Sequence, residues 1–139
     1  MRRTTFNLLI FLLFVFGLTG CQQEPPVDEY VPKTGMVKVT IMYTNIEGAT
    51  FDMDYYKSKH MPQLAEWYGE RLQHYSIDQG ISGRTPEDAI PYLAIGYLYF
   101  NSMEDYQSGF EEHGEKILAD IPNYTNIRPT LQISEVVKE

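Results

Sequence analysis

The sequence predicts an α+β fold in which a four-stranded antiparallel sheet carries two helices on one face, and three observations lead to it. Residues 37–43, 72–81, 92–100 and 130–137 concentrate or alternate β-branched and aromatic side chains as strands do. Two intervening stretches, one around His60 and one after Ser102, instead repeat apolar residues at helical spacing. The resulting order, β-α-β-β-α-β, is the ferredoxin-like arrangement, which places the first and third strands at the centre of the sheet. Those are the two strands here that lack a polar face.

In the first strand Val37, Val39, Ile41 and Tyr43 share one face, with Thr40 and Met42 on the other. Asn45-Ile46-Glu47-Gly48 has turn chemistry and leads into a helix within residues 51–69. There Met53, Tyr56, His60, Leu64 and Trp67 form one stripe, so the His60 imidazole is expected to face the core. Pro62 cannot donate a backbone hydrogen bond and its ring crowds the preceding turn, so the carbonyl near Ser58 loses its helical partner and the helix should distort beside His60. Gly69 is the expected stop, and Asp52 and Asp54 sit where the helix dipole favours acids. Residues 72–81 form a more polar strand that sets Gln73, Tyr75, Ile77 and Gln79 against His74, Ser76 and Asp78, with His74 expected at the surface.

Gly83, Pro86 and Pro91 mark the following loop, and residues 92–100 form a strand apolar on both faces. Ser102, with Asp105 three residues on, reads as the N-cap of the second helix. Its inward stripe is expected to be Met103, Tyr106, Phe110, Ile117 and Ile121, with His113 and Gly114 sharing the middle position and Pro122 ending the helix. Residues 130–137 supply the last strand.

Before this domain, taken as residues 36–139, the chain has a different character. A basic Met1-Arg2-Arg3 precedes an apolar stretch too short for the roughly 20 residues of a membrane span, so residues 1–20 are expected to be a signal peptide. Leu18-Thr19-Gly20-Cys21 resembles the bacterial lipobox, which implies lipidation of Cys21 and a membrane-anchored lipoprotein outside the cytoplasm, on the periplasmic or cell-surface side. As the single cysteine, Cys21 has no partner for an intramolecular disulfide. The Pro-rich polar remainder of residues 21–35 reads as a flexible tether, although Tyr30 and Val31 could pack on the domain. The formal net charge of −8 becomes more negative on cleavage, which removes Arg2 and Arg3 and no acid. A nucleic-acid partner is excluded on that charge, and attachment to anionic lipid would have to come from acyl chains.

Two parts of the pattern together resemble the EthD family. Phe51, Asp52, Tyr55, Tyr56, His60 and Pro62 match its Phe-Asp-x-x-Tyr-Tyr-x-x-x-His-x-Pro helix. His113-Gly114, then Asp120-Ile121-Pro122-Asn123-Tyr124-Thr125, Pro129 and Gln132-Ile133-Ser134-Glu135-Val136 follow its closing segment, with Tyr124 where phenylalanine is more usual. The resemblance implies a dimeric α/β-barrel in which two sheets pack face to face. Two helices cover only one face of four strands, and the apolar second face of the central strands is therefore expected to be buried in a homodimer.

His60 is the candidate general acid or base, with a hydrogen-bonded core histidine as the structural alternative. His113 is a second candidate, with bonding to the chain at Pro122-Asn123 as its alternative. Tyr43, Tyr55, Tyr56 and Tyr97 are candidate ligand-binding residues, able to line an apolar pocket while offering hydroxyls. The three histidines lack His-x-x-x-His spacing and no Gly-x-Ser-x-Gly nucleophile motif occurs, so neither a metal nor a cofactor is expected. Three functions follow: proton-transfer catalysis of an isomerase or lyase type on a small apolar or aromatic oxygenated compound, non-catalytic binding of such a compound as an accessory protein of a degradation pathway, and haem binding, as the wider dimeric barrel group implies.

Overall fold

The computed structural model describes residues 30–138. The expected signal peptide, Cys21 and the tether up to residue 29 lie outside the described residues. Four strands, β1 (Val37–Thr44), β2 (Leu72–Gln79), β3 (Tyr92–Phe100) and β4 (Thr130–Glu135), form one sheet in the order β2-β3-β1-β4. Every neighbouring pair is antiparallel. With the two helices on one face, this is the ferredoxin-like α+β fold expected.

The first helix, α1, begins as α-helix at Met53–Tyr55, passes through a π-helical turn at Tyr56–His60 and returns to α-helix at Met61–Tyr68. Asp52 caps it by accepting from the Tyr55 N–H at 2.9 Å. Pro62 explains the wide turn, because it has no N–H to offer the Ser58 carbonyl; the Met61 N–H reaches back to the Tyr56 carbonyl instead. The turn also corrects the expected stripe. Tyr56, His60, Leu64 and Tyr68 are buried, and these three steps of four overshoot three α-helical turns of about 3.6 residues by roughly one residue. A π-turn absorbs one such residue. Tyr68 therefore takes the core position expected of Trp67, which is half-buried, and Met61 joins it. Gly69 ends α1 with φ 57°, a conformation open to glycine.

The second helix, α2 (Met103–Asp120), is capped by Ser102, whose hydroxyl accepts from the Asp105 N–H at 3.1 Å. A single 3-10 turn, Ile121–Asn123, follows at Pro122. Met103 is exposed rather than part of the inward stripe. Gly109 is buried, with the Tyr68 ring lying directly against it. The core between sheet and helices is completed by Val39, Tyr43, Ala94, Leu98 and Phe100 from the strands and by Ile117, Tyr124 and Ile127. Gly96, at the centre of β3 between Ile41 and Ile77, leaves room for the Tyr56 hydroxyl above the sheet.

The opposite face carries Met42, Ile95, Tyr97 and Tyr99, all half-buried, beside His74, Ser76 and Asp78. Among the described residues its cover includes Tyr30, stacked on His74 at 4.2 Å and tilted against Tyr99 at 5.9 Å. His74 is thereby half-buried rather than at the surface. Val31 stays exposed.

Gly109 yields a stability prediction. Alanine is favoured over glycine in a helix interior by about 0.8–1 kcal/mol, but a Cβ here would overlap the Tyr68 ring, and overpacking costs about 1–3 kcal/mol. Gly109→Ala is expected to lower the urea midpoint with an unchanged m-value. A midpoint at or above that of the parent protein would refute this account of the Tyr68 contact.

Candidate functional site

His60 sits at the end of the π-turn, 3% exposed, with its ring held between those of Tyr56 at 5.6 Å and Tyr124 at 4.6 Å. Its Nδ1 is 2.7 Å from Asp120 Oδ2, and its Nε2 is 3.3 Å from the Tyr124 hydroxyl. The Tyr124 hydroxyl is in turn 2.7 Å from that of Tyr43. Asp120 also accepts from the Tyr55 hydroxyl at 2.9 Å and the Asn123 amide at 2.8 Å. Asp120, His60, Tyr124 and Tyr43 thus form one hydrogen-bonded chain from the end of α2 to the end of the central strand β1.

Two elements far apart in sequence meet here because a short strap holds them. The Asp52 N–H donates to the Tyr124 carbonyl at 2.7 Å, and Phe51 and Thr125 form an antiparallel bridge. The Thr125 hydroxyl donates to the Thr50 carbonyl at 2.7 Å. Asn126 accepts from the Thr50 N–H and donates to the Gly48 carbonyl, both at 2.9 Å. These bonds fix the 3-10 turn after α2 against the start of α1, and so set Asp120 and Tyr124 beside the imidazole.

Electrostatics assigns the protons. Burial alone would raise the Asp120 carboxyl, but the hydrogen bonds from His60, Asn123 and Tyr55 hold it below the ordinary aspartate range. It is therefore a carboxylate at neutral pH and accepts only, so His60 Nδ1 carries the hydrogen. Burial pushes the His60 pKa down, against the opposing pull of Asp120, and leaves the ring neutral with the Nε2 lone pair facing Tyr124. Tyr124 then donates to Nε2, and Tyr43 donates to Tyr124. Burial drives the pKa values of Tyr43, Tyr56 and Tyr124 far above that of a free phenol, so these groups stay neutral.

The chain opens on a cavity of about 520 Å³ between the helix-facing side of the sheet and the two helices. That size lies within the roughly 300–1,000 Å³ of sites that enclose small molecules. Tyr43 and His60 form part of its wall, among aliphatic and aromatic side chains such as Val39, Leu64, Leu98 and Phe110. The exposed residues in its lining, Leu118, Pro122, Asn126, Arg128 and Leu131, mark its mouth beside the edge strand β4. Among the described residues no group of three or more His, Cys, Asp or Glu side chains is arranged to hold a metal ion.

The sequence-predicted residues divide cleanly. His60 and Tyr43 line the cavity, Tyr55 bonds Asp120, and Tyr56 packs on His60 with its buried hydroxyl unpartnered. Tyr97 does not join them: β3 turns it to the opposite side of the sheet, where Lys38 lies 5.8 Å above its ring. His113 is also apart, in the middle of α2, with Nε2 3.4 Å from Glu112 and a buried Nδ1 without a partner. It does not bond the chain at Pro122-Asn123. Asp120 and Tyr124 were missed as site residues although both stand in the closing motif; spacing of 60 residues or more hides their contact with His60.

The EthD domain family matches residues 47–127, a span that holds His60, Asp120 and Tyr124. The chain is similar to the crystal structure of an EthD-like protein from Ralstonia eutropha, with 39% identity and a TM-score of 0.73 over 77% of this chain and 96% of the other. It also shares its fold with an ethyl tert-butyl ether d (EthD) family protein from Bacillus halodurans, at 18% identity and a TM-score of 0.50 over 72% of this chain and 97% of the other. No curated protein matches the chain. The family match across most of the domain, together with the identity to the Ralstonia eutropha protein, establishes that this chain belongs to the EthD domain family.

Proposed function

We propose that the protein binds a small apolar, oxygen-bearing compound in the cavity and moves a proton to or from it through His60, with Asp120 positioning the imidazole. The observation that carries this reading is the unbroken chain from Asp120 through His60 and Tyr124 to Tyr43 at the wall of an apolar cavity. A bound acidic proton passes to the Tyr43 oxygen as Tyr43 gives its own to Tyr124 and Tyr124 gives its own to Nε2. The net result is an imidazolium beside Asp120 and two unchanged phenols. Reversal returns the proton to another atom of the ligand, which is isomerisation, or to a leaving hydroxide, which is dehydration. Both ring nitrogens of His60 are engaged, an arrangement that suits proton transfer better than axial ligation of haem.

The apolar lining also favours a second reading, in which the same cavity holds its ligand without turnover for another enzyme. Native mass spectrometry of the purified protein, followed by assay of any retained compound, separates the two. Conversion by the parent protein and its loss by at least about 100-fold in a folded His60→Gln variant support catalysis. Conversion that survives the substitution removes His60 from the chemistry, and binding without conversion leaves the carrier.

The proposal includes export, lipidation at Cys21 and a homodimer formed through the face bearing Ile95, Tyr97 and Tyr99. No helix among the described residues is long and apolar enough to cross a membrane, so in this reading the acyl chains on Cys21 hold the protein to it. Tyr97→Glu is expected to convert the dimer to monomer in sedimentation velocity, since it would bury a carboxylate against an apolar face. A Tyr97→Glu dimer, or a parent monomer, would overturn the interface.

The pKa of His60 follows from its surroundings and can be read by NMR. Burial is the larger influence and Asp120 opposes it, so Asp120→Asn is expected to lower the His60 pKa further; a rise would contradict the assigned balance. Stability follows the same logic. A histidine depressed from its ordinary 6.5 contributes stability fully above about pH 6.5, and loses it as pH falls below that towards its folded pKa. Asp120, depressed from 3.8, contributes above that value and loses it at lower pH. The acid decline in melting temperature beginning near pH 6.5 should shrink in His60→Ala, and an unchanged decline would assign it to other groups.

A further inference from the structure

The cavity has a chemically distinct mouth. Arg128 is the one formally charged side chain in its lining at neutral pH, and no aspartate or glutamate joins it, although the chain carries 19 acidic residues against 11 basic ones. The Arg128 guanidinium has no ion-pair partner among the described residues. Its backbone has a firm base: Ile127 next to it is buried, with its N–H donating to the Thr125 hydroxyl at 3.1 Å. Around it on the rim stand Leu118 and Leu131, about half exposed, with Pro122 and Asn126.

We infer that the ligand is an apolar monoanion, a carboxylate or sulfonate whose charged group pairs with Arg128 at the mouth while its hydrocarbon or aromatic body fills the cavity towards Tyr43 and His60. This rests on the cavity reading above and narrows it to a substrate class. The charges agree with the geometry. A net-negative protein repels anions at long range, so an anion must be held by a specific contact, and an unpaired guanidinium offers carboxylates and sulfonates a bidentate one. The inner end, with a neutral imidazole and phenols, has no counter-charge for a second anion. The ligand therefore enters with its neutral, proton-bearing end first.

Two dyes of nearly the same shape test this on the full chain. Anilinonaphthalene sulfonate carries the anion and phenylnaphthylamine lacks it, and both report binding by fluorescence. Arg128→Gln, with unchanged circular dichroism and melting temperature, is expected to weaken the sulfonate about tenfold and to leave phenylnaphthylamine within about twofold, while Arg128→Lys recovers part of the loss as a point charge. Equal weakening of both dyes would make Arg128 part of the wall only, and an unchanged sulfonate affinity would overturn the inference outright. A parent protein that binds phenylnaphthylamine but not the sulfonate would refute the anion and keep the cavity. Binding of neither dye would remove the cavity reading and this inference with it.

Discussion

A buried imidazole cannot leave its two nitrogens unanswered, and the architecture around His60 is the answer to that requirement. Withdrawing such a ring from water costs several kcal/mol unless its polar atoms find partners. Asp120 meets Nδ1 and Tyr124 meets Nε2, and both come from the turn that ends α2. The two helices are therefore joined through a charge-assisted hydrogen bond as well as through packing. The strap between residues 48–52 and 124–126 holds that turn in place by pairing backbone groups of the two segments with each other and with the Thr125 and Asn126 side chains.

The π-turn belongs to this arrangement. A regular helix with Pro62 in its interior would lose a hydrogen bond and carry Tyr56 off the stripe on which His60, Leu64 and Tyr68 lie. One wider turn places both Tyr56 and His60 inward. The sheet and α2 accommodate those rings with glycines, Gly96 below the Tyr56 hydroxyl and Gly109 against Tyr68. Space for the aromatic layer is thus created by missing side chains on the elements opposite it.

The two faces of the sheet are put to different uses. On the helix side, strands β1 and β3 contribute buried aliphatic and aromatic residues up to the edge strand β4, where helix cover runs out and the cavity opens. The other side keeps a band of half-buried apolar and aromatic residues across the central strands, with Tyr30 folded onto its β2 edge. Chemistry proposed for the first face and association proposed for the second can therefore coexist in one small domain.

The set of elements can be read from the chain alone, because strand alternation, helical spacing, the Ser102 cap and the Gly69 and Pro122 stops are local signals that need no distant partner. The inward direction of His60 was legible for the same reason, and Pro62 announced the distortion beside it. Trp67 lies off the core because the π-turn shifts the first stripe, and Met103 is exposed at the first residue of α2, where helical spacing alone would turn it inward. Tyr97 lies on the face away from the cavity, because alternation separates the two faces of a strand without saying which of them meets the helices. The contacts of Asp120 and Tyr124 with His60 emerge from the folded chain, since a hydrogen bond across 60 residues leaves no period in the sequence. It depends on the crossing of α1 with the turn after α2, and that crossing is set by packing against the sheet together with the strap between residues 48–52 and 124–126.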